Sequence, residues 1–435
     1  MKKSMLIKLM CAALSILMVV SLSACKGDKK TSGKSEAGSN VDMSKYKGAN
    51  IVMFCAADGE DTIKGVLEEA GKKWEEDTGG KVTYIMNSDW NQRYTRLTTL
   101  IATGEQLDTY GSTVQDCPNL PFKGLFLPVD EYVEETDYIS EYLSKEAYTY
   151  NGKVYGFAQK CRSVPIVLLY NKTMFENNGV KTPLEYYEEG NWNWNTFRDL
   201  AKEMTMDLDN DGKTDQYGYG SWLYQQFFAS SGYKDYIGSD NKLVFGESAF
   251  AETLQYIQDM TFKDKSVNGG DWKTAFCDGK VAMGAERSYY VQNLVATGCL
   301  DEVDFVPFPQ NPNNKSDINY MYWVDGMSVL SNTKNIDAAA IFIKNYYTPA
   351  YHNWYEEFKL EDEFWQGGYT EQQQKFIDEL VPHASCFPSF GYPDFDSKMR
   401  GLITDVTQKG TSVSTAIATH QGILQAIVDD TLKSE

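Results

Sequence analysis

The residues with the clearest chemical spacing are oxygen donors. Asp207-Leu208-Asp209-Asn210-Asp211-Gly212-Lys213-Thr214-Asp215 reproduces the first nine positions of a calcium loop. Side-chain oxygens fall at loop positions 1, 3, 5 and 9, the Lys213 carbonyl falls at 7, and glycine at 6 permits the turn. Loop position 12 is Gly218, so the bidentate glutamate is missing, and water or another segment would have to complete the shell. The same spacing also serves an acidic turn without metal. No cofactor is required, and the one ion this spacing leaves open is Ca2+, on Asp207, Asp209, Asp211, Lys213 and Asp215.

Covalent chemistry has no comparable signal. His352, His383 and His420 are isolated, and G-x-S-x-G, H-E-x-x-H and Walker patterns are missing. Acids are numerous, so a secreted glycosidase with two carboxylates across a cleft is the rival to a binding protein without catalysis. The cysteines other than Cys11 and Cys25 are Cys55, Cys117, Cys161, Cys277, Cys299 and Cys386, with no C-x-x-C among them. Neither zinc nor dithiol redox chemistry is supported. These residues read as small buried hydrophobes, with one or two disulfides left open.

Twenty-nine Tyr, 21 Phe and 9 Trp make the chain 14% aromatic, and many of these residues sit beside polar groups rather than inside apolar runs. That pattern suits sugars. A pyranose ring packs its C–H face on an indole or phenol while carboxylates, amides and arginines bond its hydroxyls. The formal charge of −20 repels nucleic acid and anionic lipid and favours neutral or cationic ligands.

At the amino terminus Lys2, Lys3 and Lys8 precede an apolar stretch, Leu9 to Leu22, that ends in Leu22-Ser23-Ala24-Cys25. This is the layout of a signal peptide, and the run is short for a membrane span of about 20 apolar residues. The last four residues resemble the lipobox of bacterial lipoproteins. The resemblance implies cleavage after residue 24, a diacylglycerol thioether on Cys25, and a chain anchored on the extracytoplasmic face of the cell membrane. Residues 25–47 read as the lipidated cysteine and a flexible tether, too poor in apolar groups to order themselves.

Roughly 410 residues remain after cleavage, enough for two lobes. Ile51 to Ala57 reads as a strand breaking into the loop Asp58-Gly59-Glu60-Asp61, followed by a helix through Ile63, Val66, Leu67 and Trp74. Lys81 to Met86 returns as a strand, and Trp90 to Thr103 as a helix. The β-α-β-α order predicts an α/β fold with mostly parallel sheets. In such sheets ligands sit beyond the carboxyl ends of the strands, which puts Asp58 and Glu60 on a binding rim or, more plainly, in a solvated turn. Val164 to Tyr170 is apolar enough to be a strand buried on both faces.

Five segments, in order, resemble the family 1 extracellular solute-binding proteins of bacterial ABC importers, the maltose-binding-protein-like group. They are Asn151-Gly152-Lys153-Val154-Tyr155-Gly156; Tyr170-Asn171-Lys172 to Val180 with Pro183 and Trp194-Asn195-Thr196-Phe197; Phe276-Cys277-Asp278-Gly279-Lys280-Val281-Ala282-Met283; Val306-Pro307-Phe308-Pro309; and Gly326-Met327-Ser328-Val329 through Ala338-Ala339-Ala340-Ile341-Phe342. Leu107 departs from the proline usual in the family, which weakens the local match.

The resemblance implies a two-lobed fold, each lobe a sheet flanked by helices, with hinge strands between them. Lobe one would be 48–159 plus 318–350, and lobe two 160–317 plus 351–435. A monomeric receptor would capture a carbohydrate between the lobes and deliver it to permease subunits; peptides or other solutes are the alternative cargo. The resemblance places stacking aromatics at Trp222, with Tyr224 beside it, and at Tyr289, with Arg287 nearby. It places Gln115 and Asp116 in a ligand-binding loop and Trp323 and Asp325 in the cleft at the hinge. Arg162, in the crossover, would reach the ligand or a hinge carboxylate. Trp90 would cap the cleft or merely staple its helix.

Overall fold

The computed structural model describes residues 41–432 except 59–60, 88, 161–163, 292–293, 295–298, 300–301 and 352–368, with backbone alone at 56–58, 61–66 and 91. Cys25, Glu60 and Arg162 lie outside the described residues, as does the side chain of Asp58. Among the described residues no helix is long and apolar enough to cross a membrane.

Fifteen strands are described: β1 (Ile51–Asp58), β2 (Val82–Asn87), β3 (Thr109–Thr113), β4 (Ile139–Ser140), β5 (Thr149–Tyr150), β6 (Lys153–Val154), β7 (Phe157–Gln159), β8 (Val164–Asn171), β9 (Tyr217–Gly220), β10 (Val267–Asn268), β11 (Val281–Arg287), β12 (Val303–Pro307), β13 (Tyr320–Trp323), β14 (Asp325–Val329) and β15 (Ala384–Ser385). One sheet runs β2-β1-β3-β14-β7-β4; a second runs β10-β9-β11-β8-β13-β15, with β12 also on β8; β5 and β6 form a separate two-stranded pair. Helices flank both larger sheets, so the fold is α/β with two sheet-centred halves.

The sheets are mixed rather than mostly parallel. Strands β1, β2 and β3 pair in parallel, as do β9, β10 and β11. Strands next to the crossovers run the other way: β14 is antiparallel to β3 and β7, and β8 is antiparallel to β11, β12 and β13. The reason is connectivity. A strand that enters a sheet from the other half arrives at the opposite end from one delivered by a βαβ crossover.

The chain leaves the first sheet after β7 and begins β8 of the second at Val164. It returns at Val324, the single residue between β13 and β14, whose carbonyl accepts a bond from the Val114 N–H at 3.0 Å. The return falls later than the expected boundary at 318, because Tyr320–Trp323 pairs with β8 and β15 and so belongs to the second sheet.

Alternation in the strands sets the layers. Ile51, Met53 and Cys55 face one side of the first sheet with Trp74 and Phe342, while Phe54 faces the other with Leu97, Tyr110 and Phe126. Strand β8 is buried at all eight positions, as its apolar run predicts, because neighbours cover both edges and helices both faces. Each fully buried aliphatic or aromatic side chain contributes about 1.5–3 kcal/mol. The largest core cluster joins this second sheet to Val114, Cys117, Tyr148 and Ala158 of the first half, so the crossover region is packed rather than loose.

Two details refine the expectations. The supposed tether is ordered at its end: Met43–Tyr46 forms a 3-10 turn capped by Asp42, and the Tyr46 ring lies 6.5 Å from that of Trp74. Where the halves meet, Gly391 approaches the backbone of Cys117 so closely that a Cβ would sit 1.5 Å from the Cys117 oxygen. Only glycine fits there.

The turn holding Gly391, Pro388–Gly391, is anchored by Asp235, whose carboxylate accepts the Ser389 N–H at 3.1 Å and the Tyr236 N–H at 2.8 Å. Burial pushes the Asp235 carboxyl up to about 7, against the lowering effect of these bonds. Between about pH 4 and 7 the folded chain keeps a proton that the unfolded chain releases, so this group's contribution to stability falls as pH rises through that window. Urea unfolding of the wild type should lose about 2–4 kcal/mol from this source between pH 4 and pH 8. Asp235→Asn should remove that part of the slope; an identical slope in the variant would refute the assignment.

Candidate functional site

A cavity of about 460 Å³ opens between the halves, within the ordinary range of small-ligand sites, about 300–1,000 Å³. The first half contributes Met53, Cys55, Met86, Trp90, Thr113, Gln115 and Gln159, and the crossover contributes Trp323, Asp325 and Gly326. The second half contributes Trp222, Arg287 and Arg400. The loop after β3 and the start of β14 lie side by side because Asp325 pairs with Thr113.

Trp222 and Trp323 form a corner, with ring centroids 6.2 Å apart and planes at 78°. Each indole N–H is already bound: Trp222 Nε1 donates to Glu286 at 3.3 Å and Trp323 Nε1 donates to Asp325 at 2.9 Å. The Arg287 guanidinium sits 4.7 Å from the centroid of Trp323, and that of Arg400 sits 5.2 Å from the centroid of Trp222. Arg400 also pairs with Asp396 at 2.9 Å, and Gln115 reaches the same carboxylate from the other half at 3.5 Å. The result is an aromatic corner ringed by guanidinium and amide donors. It matches a ligand with an apolar face and many hydroxyls.

Of the expected binders, Trp90, Gln115, Trp222, Arg287, Trp323 and Asp325 line this cavity. Three expected binders do not. Asp116 is fully buried beneath the loop, accepting from Tyr94 Oη at 2.7 Å and from the Thr113 N–H at 2.7 Å, with Arg93 Nε 3.9 Å away. Its neighbour Gln115 takes the cleft-facing position. Tyr289 is 5% exposed, packs with Val164 and Tyr290, and accepts from Arg287 Nη1 at 2.7 Å. The strand ends at Arg287, and the turn carries Tyr289 behind it. Tyr224 turns its hydroxyl toward Thr407, and burial raises its pKa.

Arg400 and Gln159 were not anticipated. Arg400 arrives on the helix Phe395–Thr407, where only its spacing of four from Asp396 offered a signal. Asp325 is the one carboxylate among the described lining residues.

The acidic turn Asp207–Asp215 lies elsewhere on the second half. Asp207, Asp209 and Asp215 bring one carboxylate oxygen each within 4.8 Å of one another. Asp211 does not join them, because its carboxylate takes the Lys213 N–H and ammonium, both at 2.8 Å.

The family model of bacterial extracellular solute-binding proteins matches residues 56–353. A solute-binding protein of Thermotoga lettingae bound to α-D-tagatose is similar over 87% of this chain and 99% of its own, at 18% identity and TM-score 0.68. The maltotriose-bound maltose/maltodextrin-binding domain of Bdellovibrio bacteriovorus covers 88% and 100%, at 17% identity and TM-score 0.65. UgpB of Mycobacterium tuberculosis in complex with glycerophosphocholine covers 88% and 99%, at 14% identity and TM-score 0.68. At these identities the likeness is one of fold. No curated protein is similar enough to count as a match.

Proposed function

Because the chain belongs to the bacterial extracellular solute-binding proteins, we propose that it captures a neutral carbohydrate in the inter-lobe cavity and delivers it to the permease of an ABC importer. The observation that carries this reading is the corner of Trp222 and Trp323. Two perpendicular indoles offer a sugar one face to stack on and one edge to abut, and the surrounding guanidinium, amide and carboxylate groups suit its hydroxyls. The relatives bound to tagatose and maltotriose support the same choice.

Calorimetric titration with maltotriose, tagatose, mannitol and glycerophosphocholine tests this reading. A saccharide that binds saturably and is recovered intact is the expected result. Binding of glycerophosphocholine or peptides alone, or release of a hydrolysis product, would replace it.

We also propose that Cys25 carries the lipid anchor and that the receptor works as a monomer on the extracytoplasmic face. The lipobox-like Leu22-Ser23-Ala24-Cys25 supports the anchor. Cys25→Ala should move the protein from the membrane fraction to the medium.

For the loop at Asp207 to Asp215 the proposed ion is Ca2+, held by the three converging carboxylates. Millimolar calcium should raise the melting temperature, and Asp209→Asn should abolish the rise. An unchanged melting temperature in the wild type would dismiss the site.

A further inference from the structure

Behind the aromatic corner sits a group that does not line the cavity. Glu286, the penultimate residue of β11, is 0% exposed. Its Oε2 accepts from Trp222 Nε1 at 3.3 Å and from Lys273 Nζ at 2.8 Å. Its Oε1 accepts from the Arg287 N–H at 3.1 Å and lies 3.5 Å from Arg287 Nε. Arg287 in turn lies over Trp323, which meets Trp222 edge to face. The contacts close a ring: Glu286 to Trp222, Trp222 to Trp323, Trp323 to Arg287, and Arg287 back to Glu286.

A carboxylate has about four lone-pair positions; here the Trp222 indole, the Lys273 ammonium and the Arg287 backbone N–H take three of them, and full burial keeps the fourth from a ligand. An apolar residue of similar volume is often as stable as a buried ion pair, or more so. Stability alone therefore does not call for a carboxylate here, whereas orientation does. Without it, the indole N–H of Trp222 loses its acceptor and the guanidinium of Arg287 loses the negative charge 3.5 Å from its Nε, the two contacts that set their relative angle. Lys273 has a different part. Its ammonium balances the charge and rests 3.7 Å from the centroid of the Tyr290 ring, outside the cavity lining.

We infer that Glu286 is a positioning residue that sets the angle between the Trp222 and Arg287 walls of the cavity, and through that angle the shape of ligand the corner accepts. Only the identity of that ligand as a saccharide rests on the proposed function.

The test uses protein labelled with 5-fluorotryptophan and read by 19F NMR without ligand, the Trp222 resonance being identified by its loss in Trp222→Phe. Glu286→Gln leaves Lys273 without its carboxylate, so the double variant Glu286→Gln with Lys273→Met is made alongside it to keep the charge balanced and the fold intact. Glu286→Gln is expected to lower the urea midpoint, and the double variant to recover it while the Trp222 resonance stays displaced from its wild-type position. In calorimetry with maltotriose and tagatose, the double variant should bind at least about tenfold more weakly than the wild type, as for loss of a bond to a charged group.

A double variant with wild-type resonances would overturn the inference and leave Glu286 as a mere charge partner of Lys273. Should neither sugar bind the wild type, the saccharide reading falls while the resonances still decide the role of Glu286.

Discussion

Trp222→Ala is expected to weaken saccharide capture by about hundredfold or more, about 2.8 kcal/mol, the cost of losing a central aromatic anchor together with the water it excludes. Trp222 is half-buried and stands at the cavity rather than in the core, so the variant should still fold, as circular dichroism would verify. Trp222→Phe separates two contributions. It keeps a stacking ring but gives up the Nε1 bond to Glu286, so its loss should be smaller, about tenfold. The order wild type, Phe, Ala should hold for every saccharide that binds. Calorimetry showing Ala within threefold of wild type would remove the aromatic corner from the binding account.

The second large effect falls on stability. Asp116→Ala should cost about 3–5 kcal/mol in urea unfolding, as when one partner of a buried ion pair is removed. The carboxylate is enclosed by Tyr94, Tyr110, the Thr113 N–H and Arg93, and burial raises its pKa against the opposing pull of Arg93 and these bonds. Truncation strands the Arg93 charge in a buried site and takes from the Tyr110 hydroxyl its acceptor, while Tyr94 keeps the Gln115 carbonyl at 3.1 Å. Arg93 also stacks on Trp90, its guanidinium 3.8 Å from the ring centroid, so the damage should reach one wall of the cavity. Had Asp116 been a ligand contact, as its loop suggested, the variant would unfold at the wild-type urea concentration and fail only in binding.

These two residues show what the sequence discloses and what it conceals. Apolar runs such as Val164–Tyr170 and the segment before Asp58 mark buried strands through period and composition, and the structure contains both. Trp323 and Asp325 could be anticipated at the hinge because they stand immediately before the strand from Gly326 that the family resemblance sends back into lobe one.

Asp116 and Tyr289 misled for one shared reason. Asp116 lies three residues past the end of β3 and Tyr289 two past the end of β11, where the chain turns and alternation no longer says which way a side chain faces. In the 3-10 turn Val114–Asp116, the capping box with Thr113 draws Asp116 inward and leaves Gln115 facing the cavity. Arg400 was hidden for another reason. Its contact with Trp222 joins the helix Phe395–Thr407 to a loop far earlier in the chain, and no local pattern records such a meeting. Glu286 did leave a trace, a charge inside the apolar strand Val281–Arg287, but its partners become visible only in three dimensions.

The placement of the tryptophans has an optical consequence. Trp74, Trp194 and Trp272 are at most 4% exposed and should emit a constant blue background whatever the cavity holds. Trp90, Trp222 and Trp323 border the cavity, where an arriving ligand displaces water from their rings. Occupancy should therefore register as a change in intrinsic fluorescence, and the receptor carries its own dye.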